Sequence, residues 1–551
     1  MDVLVSNPDS PPIYTAAFLL GIFLHVGLFR IGEWDLFVPQ LLLISTTLYT
    51  ALIYFYVFYS PLGPDLWVPV VTASKLFSVL IGGIYTSIAT YRLLFHPLRR
   101  FPGPFLSGLT SLYPVWLLVR KLHMYEEVQQ LHKKYGDFVR LGPSELSIAN
   151  VSALHAIHSA QSPCAKGPWY NIFHPMISVQ SARDHKEHAH RRKVWDKGFS
   201  AKALRNYEPR VAKYTDLLLS QIQARAEKPI DATLWCNFYG FDVMGDLAFG
   251  KSFNMLNDGV AHHYMELMHK ATVFGTSFGR FPWAFLLSQH IPIVNIQHNT
   301  FLKWLKNQVK KRTEAEPELP DVFSAVLDPY KEKAHPSYKD EMHLIGDANL
   351  IVVAGSDTTS ATLTCALFEL VTHPEVYKKL QNEVDEFFAQ NDGPEHMALS
   401  KLKYLQAVVD ESMRLHPAVP SGVQRITPPE GMMIGETFIP GNTIVQIPTY
   451  TVARDARCFK RPDEYIPERW TTQPDLVKDG SAFAPFSMGK YSCVGRQLAL
   501  MEIRFVLSQI VHRYSISFAP GQTPEAFLDG LVDGFTLMCP KLELVFTPRT
   551  A

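Results

Sequence analysis

Three long apolar stretches crowd the first hundred residues, at 13–29, 36–59 and 68–95, separated by short polar or proline-bearing breaks. Each approaches the roughly 20 residues that a membrane-spanning helix needs, so the pattern predicts an anchor of about three transmembrane helices over residues 1–95. Buried core helices could have the same composition, but three such stretches at one end of the chain favour an anchor. A cleaved leader does not fit, because Met1 to Pro12 carries Asp2 and Asp9 and no basic residue, whereas a secretory leader opens on positive charge. Arg30 lies in the first break, 60–67 has no Lys or Arg, and Arg92, Arg99 and Arg100 follow the third stretch. Since basic residues stay on the cytoplasmic side, the N-terminus is expected to be lumenal and the remainder cytoplasmic. Lys75 lies near the lumenal end of its stretch, where its stem can snorkel. His96-Pro-Leu-Arg-Arg-Phe-Pro-Gly-Pro104 then predicts a stiff linker, because its prolines fix the backbone and remove donors.

From Tyr113 onward helical periodicity dominates, with short β-prone pieces at Phe138-Val-Arg-Leu, Thr443-Ile-Val-Gln-Ile and Leu542-Glu-Leu-Val-Phe. The fold class is mainly α with small β-sheets, and 96–551 reads as one large unit with no internal repeat. A long apolar run from His343 to Val371 should be a helix that stops near His373-Pro374. It is interrupted by Ala354-Gly355-Ser-Asp357-Thr358-Thr359. Threonines in such a helix commonly bond back to their own carbonyls. A glycine with hydroxyls can also open the helical ladder beside a cofactor, and an acid next to an alcohol can relay protons.

Charge narrows the function. Lys and Arg number 52, as do Asp and Glu, so no global basic field points to nucleic acid. The six cysteines lie far apart with no C-x-x-C, which argues against a zinc site or a disulfide scaffold and for a reducing compartment. One of them stands out. Phe486-Ser-Met-Gly489-Lys-Tyr491-Ser-Cys493-Val-Gly495-Arg sets Cys493 between glycines, just before the apolar helix Leu498 to Val511. A lone cysteine is most often a small buried hydrophobe. At a loop-to-helix junction, however, a thiolate gains from the helix N-terminus and can hold a metal, and glycines allow close approach to a flat ligand.

The stretch resembles the cysteine loop of the cytochrome P-450 family, Phe-x-x-Gly-x-Arg/His-x-Cys-x-Gly, with Tyr491 in place of the usual cation. The resemblance extends over roughly His96 to the C-terminus. Asp357-Thr358 match the family's helix I motif, Glu411-Ser-Met-Arg414 its Glu-x-x-Arg, and Arg469 of Pro467-Glu-Arg-Trp its partner arginine. Taken alone, Glu411 and Arg414 would be a surface ion pair worth little, and His188-Ala-His-Arg191-Arg192-Lys193 a solvated face. The family match implies the family fold, with haem between helices I and L. It makes Cys493 the axial ligand of haem b (iron protoporphyrin IX), cradled by Phe486, Gly489, Tyr491 and Gly495. Arg192 and Arg425 would hold the propionates, since a guanidinium matches a carboxylate, and His188 stands where a tryptophan is common. Thr358 would hold dioxygen and its water, Asp357 would support proton delivery, and Glu411, Arg414 and Arg469 would brace the cysteine loop.

The same resemblance implies a monooxygenase using O2 and electrons from a separate NADPH-dependent flavoprotein reductase of the endoplasmic reticulum, docked near Lys490 and Arg496. The rival readings are a haem-thiolate isomerase or dehydratase, whose members commonly lack the acid-alcohol pair, and a non-enzymatic membrane-anchored binding protein. Candidate pocket segments, 162–181, 274–294, 350–358, 418–424 and 530–537, are rich in apolar and aromatic residues and imply a bulky, largely apolar substrate. The phrases around Arg414 and Cys493, with the triple-span anchor, resemble fungal enzymes of secondary metabolism such as the tryprostatin-type alkaloid hydroxylases.

Overall fold

The computed structural model describes residues 10–59, 66–315, 317 and 319–549. Its first three helices are α1 (Pro11–Leu24, continuing to Phe29), α2 (Val38–Tyr59, led by the short turn Asp35–Phe37) and α3 (Trp67–Thr90, continuing to Phe95). They follow the apolar stretches to within two residues. Of their large apolar side chains only Ile13 and Tyr56 are buried, and many, Leu19, Phe23, Leu43, Leu48 and Phe58 among them, are exposed, a surface that suits lipid rather than water. A Cβ at Gly21 would come within 2.2 Å of the Leu80 carbonyl oxygen, and one at Gly83 within 2.2 Å of that of Phe18. Small residues thus let α1 and α3 cross in close contact, as membrane helices commonly do. The break at 60–65, expected on the lumenal side, lies outside the described residues.

Residues 96–104, read as a stiff linker, are not held apart from the body. Leu98 is fully buried, and the Arg140 amide donates to the Pro102 carbonyl at 2.8 Å. The chain here is laid onto the main body, because its apolar side chains gain more from burial than from spanning a gap.

Beyond this lies a mainly helical body with small sheets. Its elements near the candidate site are α4 (His185–Gly198), α5 (Ala232–Phe249), α6 (His263–Phe278), α7 (Pro282–Ser288), α8 (Tyr338–Thr372), α9 (Lys403–Leu415) and α10 (Arg496–Arg513). A five-stranded sheet is built from β1 (Phe138–Gly142), β2 (Glu145–Ile148), β3 (Ala165–Lys166), β4 (Arg425–Ile426) and β5 (Ile444–Gln446), in the order β1-β2-β5-β4-β3. Only β2 and β5 run parallel; β3 pairs antiparallel with β4 so that Lys166 is opposite Arg425.

α8 crosses the middle of the body. It opens on a reciprocal capping box between Ser337 and Asp340 and ends before Pro374, which cannot continue it. It is long and apolar enough to cross a membrane, yet 72% of its most apolar window is buried, against 22% or less in α1 to α3. It is a core helix. Gly355 does not open its ladder: the helix is continuous, and a Cβ there would come within 2.5 Å of the Met244 side chain on α5. The glycine serves close packing of two helices.

Glu411 and Arg414 of α9 are buried, not a surface pair. Arg414 donates to both Glu411 oxygens at 2.9 Å, and Arg469 Nε to Oε1 at 2.8 Å. Trp470 Nε1 and the Ile466 amide complete the carboxylate's shell at 2.9 Å each. The remaining guanidinium N–H groups reach the carbonyls of Ala453, Lys460, Arg461, Pro462 and Glu464. Every charge is therefore paired, which makes removal of one costly. Glu411→Ala should destabilise the detergent-solubilised chain by about 3–5 kcal/mol, read from its denaturation midpoint. A loss below about 1 kcal/mol, as for an exposed pair, would count against this arrangement.

Candidate functional site

A cavity of about 1080 Å3 lies between α8, α10, the edge of the five-stranded sheet and the loop 484–495. That is at the upper end of, or beyond, the ~300–1,000 Å3 of ordinary small-molecule pockets. The loop that carries Cys493 is closed by its own backbone, the Cys493 amide donating to the Phe486 carbonyl at 2.8 Å. Ser487 and Gly489 take left-handed backbone conformations to make the bend. Gly489 faces away from the cavity: a Cβ there would lie 2.4–2.5 Å from the backbone of 158–160. The expected close approach is to the chain itself, not to a ligand. Gly495 lines the cavity at an ordinary φ of −80° with room for a Cβ, and acts as the N-cap of α10.

Cys493 is exposed to the cavity and Phe486 lines it, with the Arg496 guanidinium stacked over the Phe486 ring. Burial pushes the Cys493 thiol up from its ordinary value. The Gly495 and Arg496 amides and the Arg192 charge oppose that shift without cancelling it. The helix N-terminus by itself thus does not make a thiolate here; a cation bound at the sulfur would.

On α8, Thr358 and Asp357 both line the cavity. The Thr358 hydroxyl donates back to Ala354 O at 2.9 Å, and Thr362 to Thr358 O at 2.8 Å, the local bonding typical of such residues. Asp357 has a partner that the sequence reading missed: His269 Nε2 on α6 lies 3.4 Å from its Oδ1. No local spacing links these two. Glu502 of α10 was missed too; it is fully buried at the cavity wall, where burial holds its carboxyl well above the usual range.

One part of the remaining wall is cationic. Arg192 on α4 lines the cavity and donates to the Ser492 carbonyl at 2.5 Å and to Asp196 at 2.7 Å. Its neighbour Arg191 turns to Asp347 on α8 at 3.0 Å, so this patch is only partly a solvated face. Arg425 is buried and donates to Gln424 O at 2.8 Å, but its Nε has no partner. Lys166, directly across the sheet register, is also buried and lines the cavity, donating to Val179 O at 2.7 Å. Burial first, then Arg425, Arg192 and Arg191, pushes its ammonium well below the usual range. Like charges directly opposite in a sheet are unfavourable. Lys166 and Arg425 have no acidic partner among the described residues, so an anion in the cavity would relieve them.

Tyr491 stands among these cations, 4.9 Å from Lys166 Nζ and 4.7 Å from Arg425 as measured to the ring centre. Burial pushes its phenol up to about 12, so it stays neutral, and its hydroxyl meets His185 Nδ1 at 3.0 Å. His188 packs edge-on against the same ring at 4.6 Å, its pKa lowered to about 3 by burial and by Lys166, Arg192, Arg425 and His185. Lys166 falls inside a segment read for its apolar residues; a lone lysine among them was the available signal.

The cavity thus brings together Cys493, Phe486, Tyr491, Gly495, Arg192, Arg425, Asp357 and Thr358, whereas Gly489, Glu411, Arg414 and Arg469 lie outside it. The triad's hydrogen bonds run to carbonyls between 453 and 476, and it reaches the cysteine loop through Trp470, whose ring packs 4.7 Å from that of Phe483. A thiol, an acid-alcohol pair and unpaired cations around one large cavity fit a haem with its two carboxylates.

The comparison with known proteins agrees. The cytochrome P450 family profile matches residues 104–546. The chain is 52% identical over 542 residues to the cytochrome P450 monooxygenase FCK2 of Fusarium pseudograminearum, covering 98% of both chains. It is 36% identical over 540 residues to the tryprostatin B 6-hydroxylase of Aspergillus fumigatus, covering 96% of this chain and 95% of that one. It is also 36% identical to the cytochrome P450 monooxygenase phqL of Penicillium fellutanum over 551 residues, 100% and 97% of the two chains. With the match spanning most of its length, the chain belongs to the cytochrome P450 family and is one of its monooxygenases.

Proposed function

We propose that this monooxygenase holds haem b in the cavity between α8 and α10 and hydroxylates, or otherwise oxidises, a bulky and largely apolar molecule of fungal secondary metabolism. An alkaloid, terpenoid or polyketide would fit. The cavity carries the reading: Cys493, the Asp357-Thr358 pair and the unpaired cations all open into one space. Cys493 would hold the haem iron through its thiolate, and Lys166, Arg425 and Arg192 would hold the propionates, Lys166 supplying the cation that Tyr491 does not. Bound there, haem supplies reductive activation of dioxygen and transfer of one oxygen atom to a C–H bond, chemistry that thiolate ligation favours.

The chain's own residues hold the substrate and move protons. With its proton committed to Ala354 O, the Thr358 hydroxyl presents its lone pairs to a water in the cavity. Asp357 passes a proton to that water from Oδ1 and regains it from His269 Nε2, which is partly open to solvent. Trp169, Ile172, Phe173, Phe285, Val353 and Phe535 exclude bulk water and favour an apolar substrate. An intact acid-alcohol pair at the cavity supports oxygen activation over an isomerase or dehydratase.

Residues 1–95 form the anchor and 96–551 the catalytic unit, in the endoplasmic reticulum membrane with the N-terminus lumenal. Support comes from Glu33 in the first break, which pairs with Arg183 of the body at 2.6 Å. That break and the body therefore share one side of the bilayer, the side Arg30 indicates. A separate NADPH-dependent flavoprotein reductase docks near the cysteine loop. Arg496 is exposed there, while Lys490 is partly withdrawn by a 2.6 Å bond to the Ser162 carbonyl.

Purified with reductase and NADPH, the chain should give the red-shifted Soret band of a reduced carbon-monoxide complex. Thr358→Ala should keep that band while raising peroxide released per NADPH at least ~10-fold; unchanged peroxide release would refute the relay. Arg192→Ala and Lys166→Met should each lower haem retention severalfold more than Tyr491→Phe, measured as haem per chain after gel filtration, and equal retention would remove the propionate assignment. Arg496→Glu should slow first-electron reduction ~10-fold at low salt with a normal carbon-monoxide spectrum, and a larger loss than Lys490→Glu causes. An unchanged reduction rate would place the docking face elsewhere.

A further inference from the structure

The cavity wall does not belong to the catalytic body alone. Leu36 and Phe37, in the break between α1 and α2, and Pro39 and Gln40, in the first turn of α2, line it. Their seat is built on both sides. Glu33 accepts from Arg183 Nη1 and Nη2 at 2.6 and 2.7 Å, and Arg183 is itself tied to Lys166 O at 3.1 Å and Asn171 Oδ1 at 3.0 Å. Burial opposes ionisation of Glu33, but the Arg183 guanidinium holds its carboxyl below the ordinary value. The turn Asp35–Phe37 packs on α7, whose Phe285 and Leu286 line the same cavity. Leu36 and Phe37 stay 39% and 53% exposed, so a large part of their apolar surface is left uncovered by both the body and the anchor.

We propose that Leu36 and Phe37 are substrate-binding residues: the anchor's first break completes the outer wall of the substrate site and receives the distal, apolar end of the substrate. This rests on the haem-thiolate reading above. The break joins two membrane helices and so lies at the bilayer surface, which puts this end of the site where lipid-dissolved molecules concentrate. The ligand class follows: a molecule with an extended or bulky apolar portion that reaches from the cysteine loop to the anchor. Small ligands held near Cys493 would not sense the break at all.

The test uses the full-length, haem-loaded chain in lipid nanodiscs and two azoles, 1-dodecylimidazole and imidazole, titrated by the Soret shift. Phe37→Asp should raise the Kd of 1-dodecylimidazole at least tenfold and leave that of imidazole within twofold. Equal changes for both probes, or none, would overturn the proposal. Phe37→Cys guards against a merely misfolded loop. Its extra maleimide labelling, over the parent chain, should slow at least fivefold with 1-dodecylimidazole bound and not with imidazole; no selective protection overturns the proposal. A parent chain without the red-shifted carbon-monoxide band would instead refute the haem-thiolate reading, so the two failures are distinct.

Discussion

One buried carboxylate organises the ground on which the cysteine loop stands. Glu411 accepts from two guanidiniums, an indole and an amide, and those guanidiniums in turn bind a string of carbonyls between Ala453 and Glu464. Removing Glu411 would leave two guanidinium charges in a dry interior, which favours one arrangement of the irregular chain from 453 to 470. Trp470 carries that arrangement to Phe483 and the start of the loop. The influence on Cys493 is thus mechanical and one packing layer removed, with no hydrogen bond from the triad to the loop among the described residues.

The cavity shows the opposite electrostatic condition. Lys166 and Arg425 face each other across β3 and β4 in a buried site without an acid between them. A body folded around such a pair gains when an anion arrives. Tyr491 fits this setting because a neutral ring among cations offers its electron-rich face instead of a fourth positive charge. A lysine from a distant strand thus lies beside the position two residues before the cysteine where the family usually has a cation.

Anchor and body are likewise not independent. Residues 96–104 are packed into the body, and the break after α1 returns to it through Glu33. These two attachments fix how the three N-terminal helices meet the main body, and they bring apolar side chains of the first break to the rim of the cavity.

Much of this was legible in the sequence. The three N-terminal helices, the strands at 138–142 and 444–446 and the end of α8 at His373-Pro374 follow from periodicity and punctuation, and Cys493, Asp357, Thr358, Glu411, Arg414 and Arg469 were singled out by resemblance to short family motifs; all are local properties. Other features were decided only by packing. By length and apolarity α8 could be a fourth span, and only its position against α5 and α10 makes it core. Gly355 and Gly489 are glycines because of Met244 and the backbone of 158–160, neighbours far away in the chain. His269 beside Asp357, Lys166 opposite Arg425, and Glu33 on Arg183, 150 residues distant, have no local signal. The sequence determined which segments are helical, apolar and chemically equipped; tertiary packing decided which charges lack partners and what surrounds the cavity, because those depend on contacts between segments that no local pattern encodes.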